Sequence, residues 1–202
     1  MNMRVATKRA YRQGARAEAT GETGRRILDV FFTRLQQDWF EDIRLDDVAM
    51  EADVTVQTVI RRYGGKDGLL NAAIARMSEE VTRRRRAPAG DLDAAVAALV
   101  ADYETVGDLV MRLLAQEERF PAIRKVTDVG RREHRAWVEQ TFAAELRACT
   151  PAGRRDLADA LVVATDLYTW KLLRRDMGRS AKAAKANMLR LARGAFSQHD
   201  EE

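Results

Sequence analysis

Hydrophobic side chains recur at intervals of three and four residues along most of the chain. This spacing places them on one face of an α-helix. The early part predicts a helix over 22–37, a short helix that begins near Leu45 and ends at Asp53-Val54, and a second short helix after Thr55. The Thr55 hydroxyl is suited to cap that second helix. The pattern predicts an all-α protein of about nine helices.

The second short helix, at 56–63, has two different faces. Val59 and Tyr63 continue the apolar stripe, whereas Gln57 and Arg61 fall on the opposite side. Two short helices with a tight turn and a polar outer face on the second predict a helix-turn-helix that reads DNA. Gln and Arg side chains make bidentate hydrogen bonds to base edges. The alternative is an ordinary helical hairpin whose polar face is solvated.

Flanking residues extend the predicted DNA interface. Arg44 precedes the first short helix and suits a phosphate. Lys66 follows Gly64-Gly65 at the next helix start, where its ammonium and the free backbone N–H groups suit another phosphate. The candidate DNA-binding residues are Arg44, Thr55, Val56, Gln57, Thr58, Arg61, Arg62, Tyr63 and Lys66.

Breaks in the pattern divide the chain into four parts: a basic arm at 1–20, the helix-turn-helix domain at 21–66, a connecting helix and linker at 67–90, and a second domain at 91–202. The arm carries Arg4, Lys8, Arg9, Arg12 and Arg16, and either follows DNA phosphates or is a solvated tail. The run 83–86, four arginines, is expected to be a solvated helix end. We expect a bend at Gly107 and one continuous helix over 154–175.

Charge is distributed unevenly. Residues 1–86 hold 17 Lys and Arg against 13 Asp and Glu, whereas residues 87–202 hold 18 of each. The excess in the first half suits an anionic partner. A lone Cys149 excludes an internal disulfide, and the chain lacks a long apolar stretch, so we expect a cytoplasmic protein with no membrane partner. We expect no enzyme, because the chain has no common catalytic motif, and we predict no catalytic residue, metal site or cofactor.

Seven segments, in their order and spacing, carry a family resemblance: Ile27-Leu28, Phe31-Phe32, Trp39-Phe40, Asp47-Val48-Ala49, Ala52-Asp53-Val54-Thr55, Thr58-Val59-Ile60-Arg61-Arg62-Tyr63 and Lys66-Asp67-Gly68-Leu69-Leu70. With them, residues 24–77 resemble the DNA-binding domain of the TetR family of bacterial repressors. The resemblance implies a homodimer whose second short helix reads DNA and whose C-terminal domain binds an inducer.

Three positions depart from that family. Asp53 stands where the family usually has Gly, so we expect a positive φ there, which Asp tolerates better than most residues. Ile60 stands where a phosphate-contacting Tyr is common, which puts that contact in doubt. Arg62 replaces a common His and can serve as a phosphate or guanine donor.

The second domain has apolar stripes that contain aromatic and ionisable residues, as an effector pocket in a helical bundle would. The candidate pocket residues are Tyr103, Met111, His134, Trp137, Phe142, Asp166 and Trp170. Each could instead belong to the core. The middle of 154–175 is apolar nearly all round, which favours cover by a second copy. The resemblance implies a four-helix interface, with candidate residues Leu161, Thr165, Tyr168, Leu172, Met188, Leu191 and Ala195.

The preferred hypothesis is a ligand-responsive homodimeric repressor that binds a palindromic operator on double-stranded DNA and is released by a small-molecule effector. One alternative is an all-helical enzyme or small-molecule-binding protein that does not act on DNA. Another is a DNA-binding protein without an effector, or an activator of transcription.

Overall fold

The structure is a computed structural model that describes residues 21–88 and 90–197. Every regular element in these ranges is helical, which confirms the all-α class. The predicted basic arm at 1–20 lies outside the described residues. Within them, no helix combines the length and apolar character needed to cross a bilayer. The chain forms two compact units, one ending at Ala75 and the other beginning at Arg76.

The first unit contains the predicted short helices. Its elements are α1 at 21–37, a single 3₁₀ turn at Phe40–Asp42, α2 at Leu45–Glu51, α3 at Val56–Tyr63 and the start of α4 at Lys66–Arg84. The apolar spacing therefore predicted α1, α2 and α3 correctly. Their inward faces meet in a core of Ile27, Phe31, Leu35, Phe40, Val48, Val59, Leu69 and Leu70.

The second unit is a bundle of longer helices. Its elements are α5 at Leu92–Leu114, α6 at Pro121–Thr141, α7 at Ala143–Ala148, α8 at Pro151–Thr165, α9 at Leu167–Lys171, a π-helical turn at Leu172–Asp176 and α10 at Ala181–Ser197. Helix α10 packs against α5 and α8, and α6 packs against the same two helices. The core fills the space between these four helices.

The bend expected at Gly107 is wrong. Helix α5 runs without interruption from Leu92 to Leu114, and Gly107 lies buried inside it. A Cβ at this position would lie 2.6 Å from the ring of Trp170. Gly107 therefore allows the Trp170 ring to pack closely against the α5 backbone, and it does not bend the helix.

The continuous helix expected over 154–175 is also wrong. Helix α8 ends at Thr165, and Asp166 adopts an extended conformation with φ −69° and ψ 152°. Its carboxylate accepts a hydrogen bond from the Tyr168 amide at 2.7 Å, so it caps the next helix, α9. Asp is a preferred N-cap residue, so Asp166 could have indicated the start of a new helix. The regular spacing of the apolar residues on both sides of it indicated one continuous helix instead.

Candidate functional site

The turn between α2 and α3 is held by backbone geometry. Asp53 has φ 51°, the one positive φ among the non-glycine residues that the structure describes. This confirms the conformation expected where Asp replaces a glycine. The amide of Val54 donates to the Ala49 carbonyl at 2.9 Å, which closes the turn directly after α2. The turn therefore fixes the direction in which α3 begins.

Helix α3 begins at a capped end. The Thr55 hydroxyl oxygen accepts from the Thr58 amide at 3.2 Å, and the two threonine hydroxyls are 2.9 Å apart. Both hydroxyls are therefore engaged in the cap. The predicted capping role of Thr55 is confirmed.

The two faces of α3 are separated as the pattern predicted. Val59 is fully buried and Val56 is half-buried, whereas Gln57 and Arg61 are exposed. Arg61 and Gln57 are four residues apart, so their side chains are neighbours on the outer face. This face offers guanidinium and amide hydrogen-bond donors to a partner.

Tyr63 and Arg62 join α3 to α1 within the first unit. The Tyr63 hydroxyl donates to the Gly24 carbonyl at 2.9 Å. The Arg62 guanidinium lies 5.8 Å from the centre of the Tyr63 ring and also covers Gly24, where a Cβ would lie 2.2 Å from Nη2. Their contact with DNA stays a prediction. Within the first unit, both residues connect α3 to α1.

Lys66 also makes contacts within the first unit. Its ammonium donates to the Glu41 carbonyl at 3.2 Å and lies 4.5 Å from the centre of the Phe40 ring. Burial lowers the pKa of Lys66 below its ordinary value. Two steps along, a Cβ at Gly68 would lie 1.5 Å from the Tyr63 carbonyl oxygen. The close contact at Gly68 fixes the start of α4 against the end of α3.

Two contacts that fix the motif escaped the sequence reasoning. Arg26 on α1 donates through Nε to the Ala52 carbonyl at 2.7 Å, where α2 ends. The second contact is the hydrogen bond that the Tyr63 hydroxyl donates to the Gly24 carbonyl. A polar side chain that reaches a carbonyl 26 residues away leaves no periodic trace in the sequence.

Arg44, at the N-terminal boundary of α2, is exposed as expected.

Five of the predicted pocket residues form a connected aromatic cluster in the second unit. Tyr103 and Trp170 have ring centres 5.9 Å apart, His134 stacks on Trp137 at 5.7 Å, and Phe142 meets Trp137 edge-on at 6.1 Å. Met111 packs, half-buried, against the same core. Asp166 is the cap of α9, and burial raises its pKa.

His134 is a buried, neutral member of this cluster. Its Nε2 lies 3.2 Å from the Thr165 hydroxyl oxygen, which itself donates to the Leu161 carbonyl at 2.6 Å. Thr165 therefore accepts from a protonated Nε2 and leaves Nδ1 as an acceptor. Nδ1 is buried and finds no hydrogen-bond partner among the described residues. Burial and then the charge of Arg85 lower the pKa of His134 to about 4.

The arginine run at 83–86 is not simply a solvated helix end. Asp102 of α5 is 1% exposed and accepts from Arg84 Nε at 2.8 Å and from Arg85 Nε at 2.7 Å. A buried carboxylate requires such partners. The expectation failed because the run is local in sequence while its partner lies 17 and 18 residues away.

Arg85 also joins the end of α4 to the aromatic cluster. Its guanidinium lies 4.8 Å from the centre of the Tyr103 ring, and its carbonyl accepts from Trp137 Nε1 at 3.3 Å. The Tyr103 hydroxyl donates to the Thr165 carbonyl at 3.0 Å. The contacts of Arg85, Tyr103, Thr165, His134 and Trp137 therefore close a ring within the second unit, which we call the polar ring.

Comparison with known proteins gives two relatives. The HTH-type transcriptional regulator BetI of Paraburkholderia phymatum is 28% identical over 144 residues, which span 65% of this chain and 74% of BetI. BetI is a TetR-family regulator. The crystal structure of SCO7518 from Streptomyces coelicolor A3(2), described as a transcriptional regulator, matches with a TM-score of 0.60 at 17% identity, over 85% of this chain and 98% of that one. That second likeness shows the fold alone. No protein-family model matches the chain.

The chain is similar to TetR-family regulators. The sequence match to BetI and the all-α fold agree with the resemblance seen in residues 24–77.

The candidate interface residues differ in how far they are buried. Leu161, Thr165 and Met188 are fully buried within the chain, so they have no surface to offer a second copy. Their assignment to a dimer interface is wrong because they fill the protomer core. Tyr168, Leu172 and Leu191 are 53%, 51% and 53% exposed. Ala195 is half-buried against the core.

The exposed apolar side chains of the second unit are concentrated near its C-terminal end. Among the described residues from Arg76 onward, the large exposed hydrophobic side chains are Val163, Tyr168, Leu172, Met177 and Leu191. They lie on α8, α9, the π-helical turn, the segment that follows it and α10. Val163 and Met177 were not predicted to be exposed, although Val163 lies within the apolar run at 160–170.

Proposed function

We propose that this TetR-like protein is a cytoplasmic transcriptional repressor that binds a palindromic operator as a homodimer and is released by a small-molecule inducer. The observation that supports this proposal most directly is the structure of α3. It is a capped helix with a buried apolar face and an exposed face bearing Gln57 and Arg61. Such a helix fits the major groove and can read base edges there.

The contacts within the first unit support this role. A hydrogen bond from Tyr63 joins α3 to α1, and a hydrogen bond from Arg26 joins α1 to the end of α2. The close backbone approach at Gly68 joins the start of α4 to the end of α3. A reading helix must be held rigidly, because a bidentate contact loses its energy when the donor is misplaced. Arg44, exposed beside α2, supplies a charge for a phosphate.

Pairing of two copies is supported by the exposed apolar side chains of the second unit. A homodimer would cover Tyr168, Leu172 and Leu191, which otherwise remain in water. A twofold dimer presents two reading helices to two half-sites about 34–36 Å apart, or a multiple of that spacing, so its operator is a palindrome.

The inducer site is assigned to the polar ring. Its aromatic walls and few polar groups are typical of small-molecule sites in helical bundles. Nδ1 of His134 supplies an acceptor without a partner in the described residues. Because Arg85 at the end of the α4 region belongs to the ring, a ligand that favours another arrangement of the ring would alter the end of that helix.

The DNA-binding step is tested by titrating a selected operator with Gln57→Ala and Arg61→Ala proteins. Each bidentate contact is worth about 1–3 kcal/mol, so we expect roughly 5- to 150-fold weaker binding and relaxed preference at one position per half-site. Gln36→Ala, an exposed glutamine on α1, is the matched control and should bind normally. Unchanged sequence preference in both α3 variants would show that another face enters the groove.

A further inference from the structure

The outer part of α3 carries one large apolar side chain that the core does not need. Ile60 is 40% exposed, whereas Val59 beside it is fully buried and supplies the inward contact. In the described part of the first unit, the other large exposed hydrophobics are Trp39 and Met50, and neither is on α3. On the proposed DNA-reading helix, this exposed branched side chain is available to an apolar partner.

Helical geometry places Ile60 beside the hydrogen-bonding groups of α3. At 3.6 residues per turn, Ile60 lies about 60° around the helix from Gln57 and one turn further along. Residues three apart on a helix are surface neighbours. In the proposed DNA complex, the Ile60 side chain would therefore lie at the base pair that Gln57 contacts or at the next one.

Ile60 can recognise a base only through an apolar contact, because other residues of α3 supply the polar ones. The hydroxyls of Thr55 and Thr58 are engaged with each other in the helix cap, so Gln57 and Arg61 supply the polar contacts. Ile60 has no polar atom. In the major groove, the base feature that an apolar side chain recognises is the 5-methyl group of thymine.

We propose that Ile60 packs against the 5-methyl group of a thymine in each operator half-site and so specifies thymine at that position. The proposal rests on the DNA-binding function above and adds a specificity-determining residue to it. It differs from a phosphate contact, which would carry no sequence information.

The experiment deletes the methyl group from the DNA. After an operator has been selected from random sequence, each thymine is replaced singly by deoxyuridine, which removes the 5-methyl group and keeps every base-pairing atom. Fluorescence anisotropy then gives Kd for the unchanged protein and for Ile60→Ala, Ile60→Val and Gln57→Ala. Thermal unfolding of each variant checks that it folds.

We expect deoxyuridine at one thymine per half-site to weaken binding of the unchanged protein about fourfold, the value of one buried methyl group. Ile60→Ala should lose this sensitivity, and Ile60→Val should retain part of it. Gln57→Ala should bind more weakly overall and keep the full deoxyuridine penalty, because it removes a different contact.

Two results would overturn the assignment while leaving the DNA-binding function intact. One is an operator in which no deoxyuridine replacement weakens binding. The other is a deoxyuridine penalty of the same size in the Ile60→Ala protein. If selection instead returns no consensus sequence, the proposed function itself fails and the role of Ile60 fails with it.

Discussion

Gly107→Ala tests the close approach between α5 and the Trp170 ring. The added Cβ would lie 2.6 Å from two ring carbons of Trp170 and 3.2 Å from a third. The ring cannot retreat easily, because Trp170 is fully buried and its Nε1 donates to Glu104 at 2.7 Å. The Arg175 guanidinium covers the ring at 4.7 Å. Relief of the clash therefore requires the ring or the α5 backbone to move.

The expected cost combines three effects. Overpacking a core costs about 1–3 kcal/mol. Loss of the hydrogen bond from Trp170 to the Glu104 carboxylate adds about 1.5–3 kcal/mol when the ring moves far enough to break it. Replacing glycine by alanine inside a helix returns about 1 kcal/mol. We expect a net loss of about 2–4 kcal/mol in the free energy of unfolding.

Urea unfolding followed by circular dichroism measures this loss, with Gly130→Ala as the matched control. Gly130 lies inside α6, and a Cβ there would meet nothing within 4 Å. The control should gain about 0.5–1 kcal/mol. In a Trp170→Phe background, Gly107→Ala should cost less, because the smaller ring lacks the clashing atoms. Equal stability of the Gly107→Ala and Gly130→Ala proteins would refute the reasoning.

Three further outcomes follow from the second unit. Because the folded pKa of His134 is about 4 and the unfolded value about 6.5, its protonation opposes folding; the free energy of unfolding should fall by up to about 3 kcal/mol between pH 6.5 and 4. His134→Phe should remove that part of the pH profile in parallel titrations, and an unchanged profile would contradict a buried neutral imidazole. Asp102→Asn should destabilise by about 2–4 kcal/mol in urea, since it leaves two arginines short of a buried partner, whereas exposed Asp108→Asn should cost under about 1 kcal/mol. Leu172→Glu should shift the sedimentation equilibrium toward monomer and Met50→Glu should not; a dimer of unchanged affinity in the first variant would place the interface elsewhere.

Much of the fold could be predicted because helices leave a local periodic trace. The stripe of Val59 and Tyr63, the cap at Thr55 and the positive φ at Asp53 all depend on residues within a few positions. Local signals also separated the exposed face of α3, with Gln57 and Arg61, from its buried face.

The failures share a physical cause, which is contact between residues distant in sequence. Gly107 suggested a bend because its reason, the Trp170 ring, lies on another helix. Arg84 and Arg85 suggested a solvated end because their partner Asp102 lies 18 and 17 residues away in sequence, on α5. Periodicity also cannot tell an apolar residue buried by its own chain, such as Met188, from one such as Leu191 that is left exposed.

Selection of bound sequences from a random DNA pool with the purified full chain, at moderate salt, tests the central claim most directly. The account predicts a palindromic consensus whose half-site centres are about 34–36 Å apart along the duplex, or a multiple of that spacing. Only weak, sequence-indifferent binding that falls steeply with salt would contradict it, because phosphate contacts alone give that behaviour.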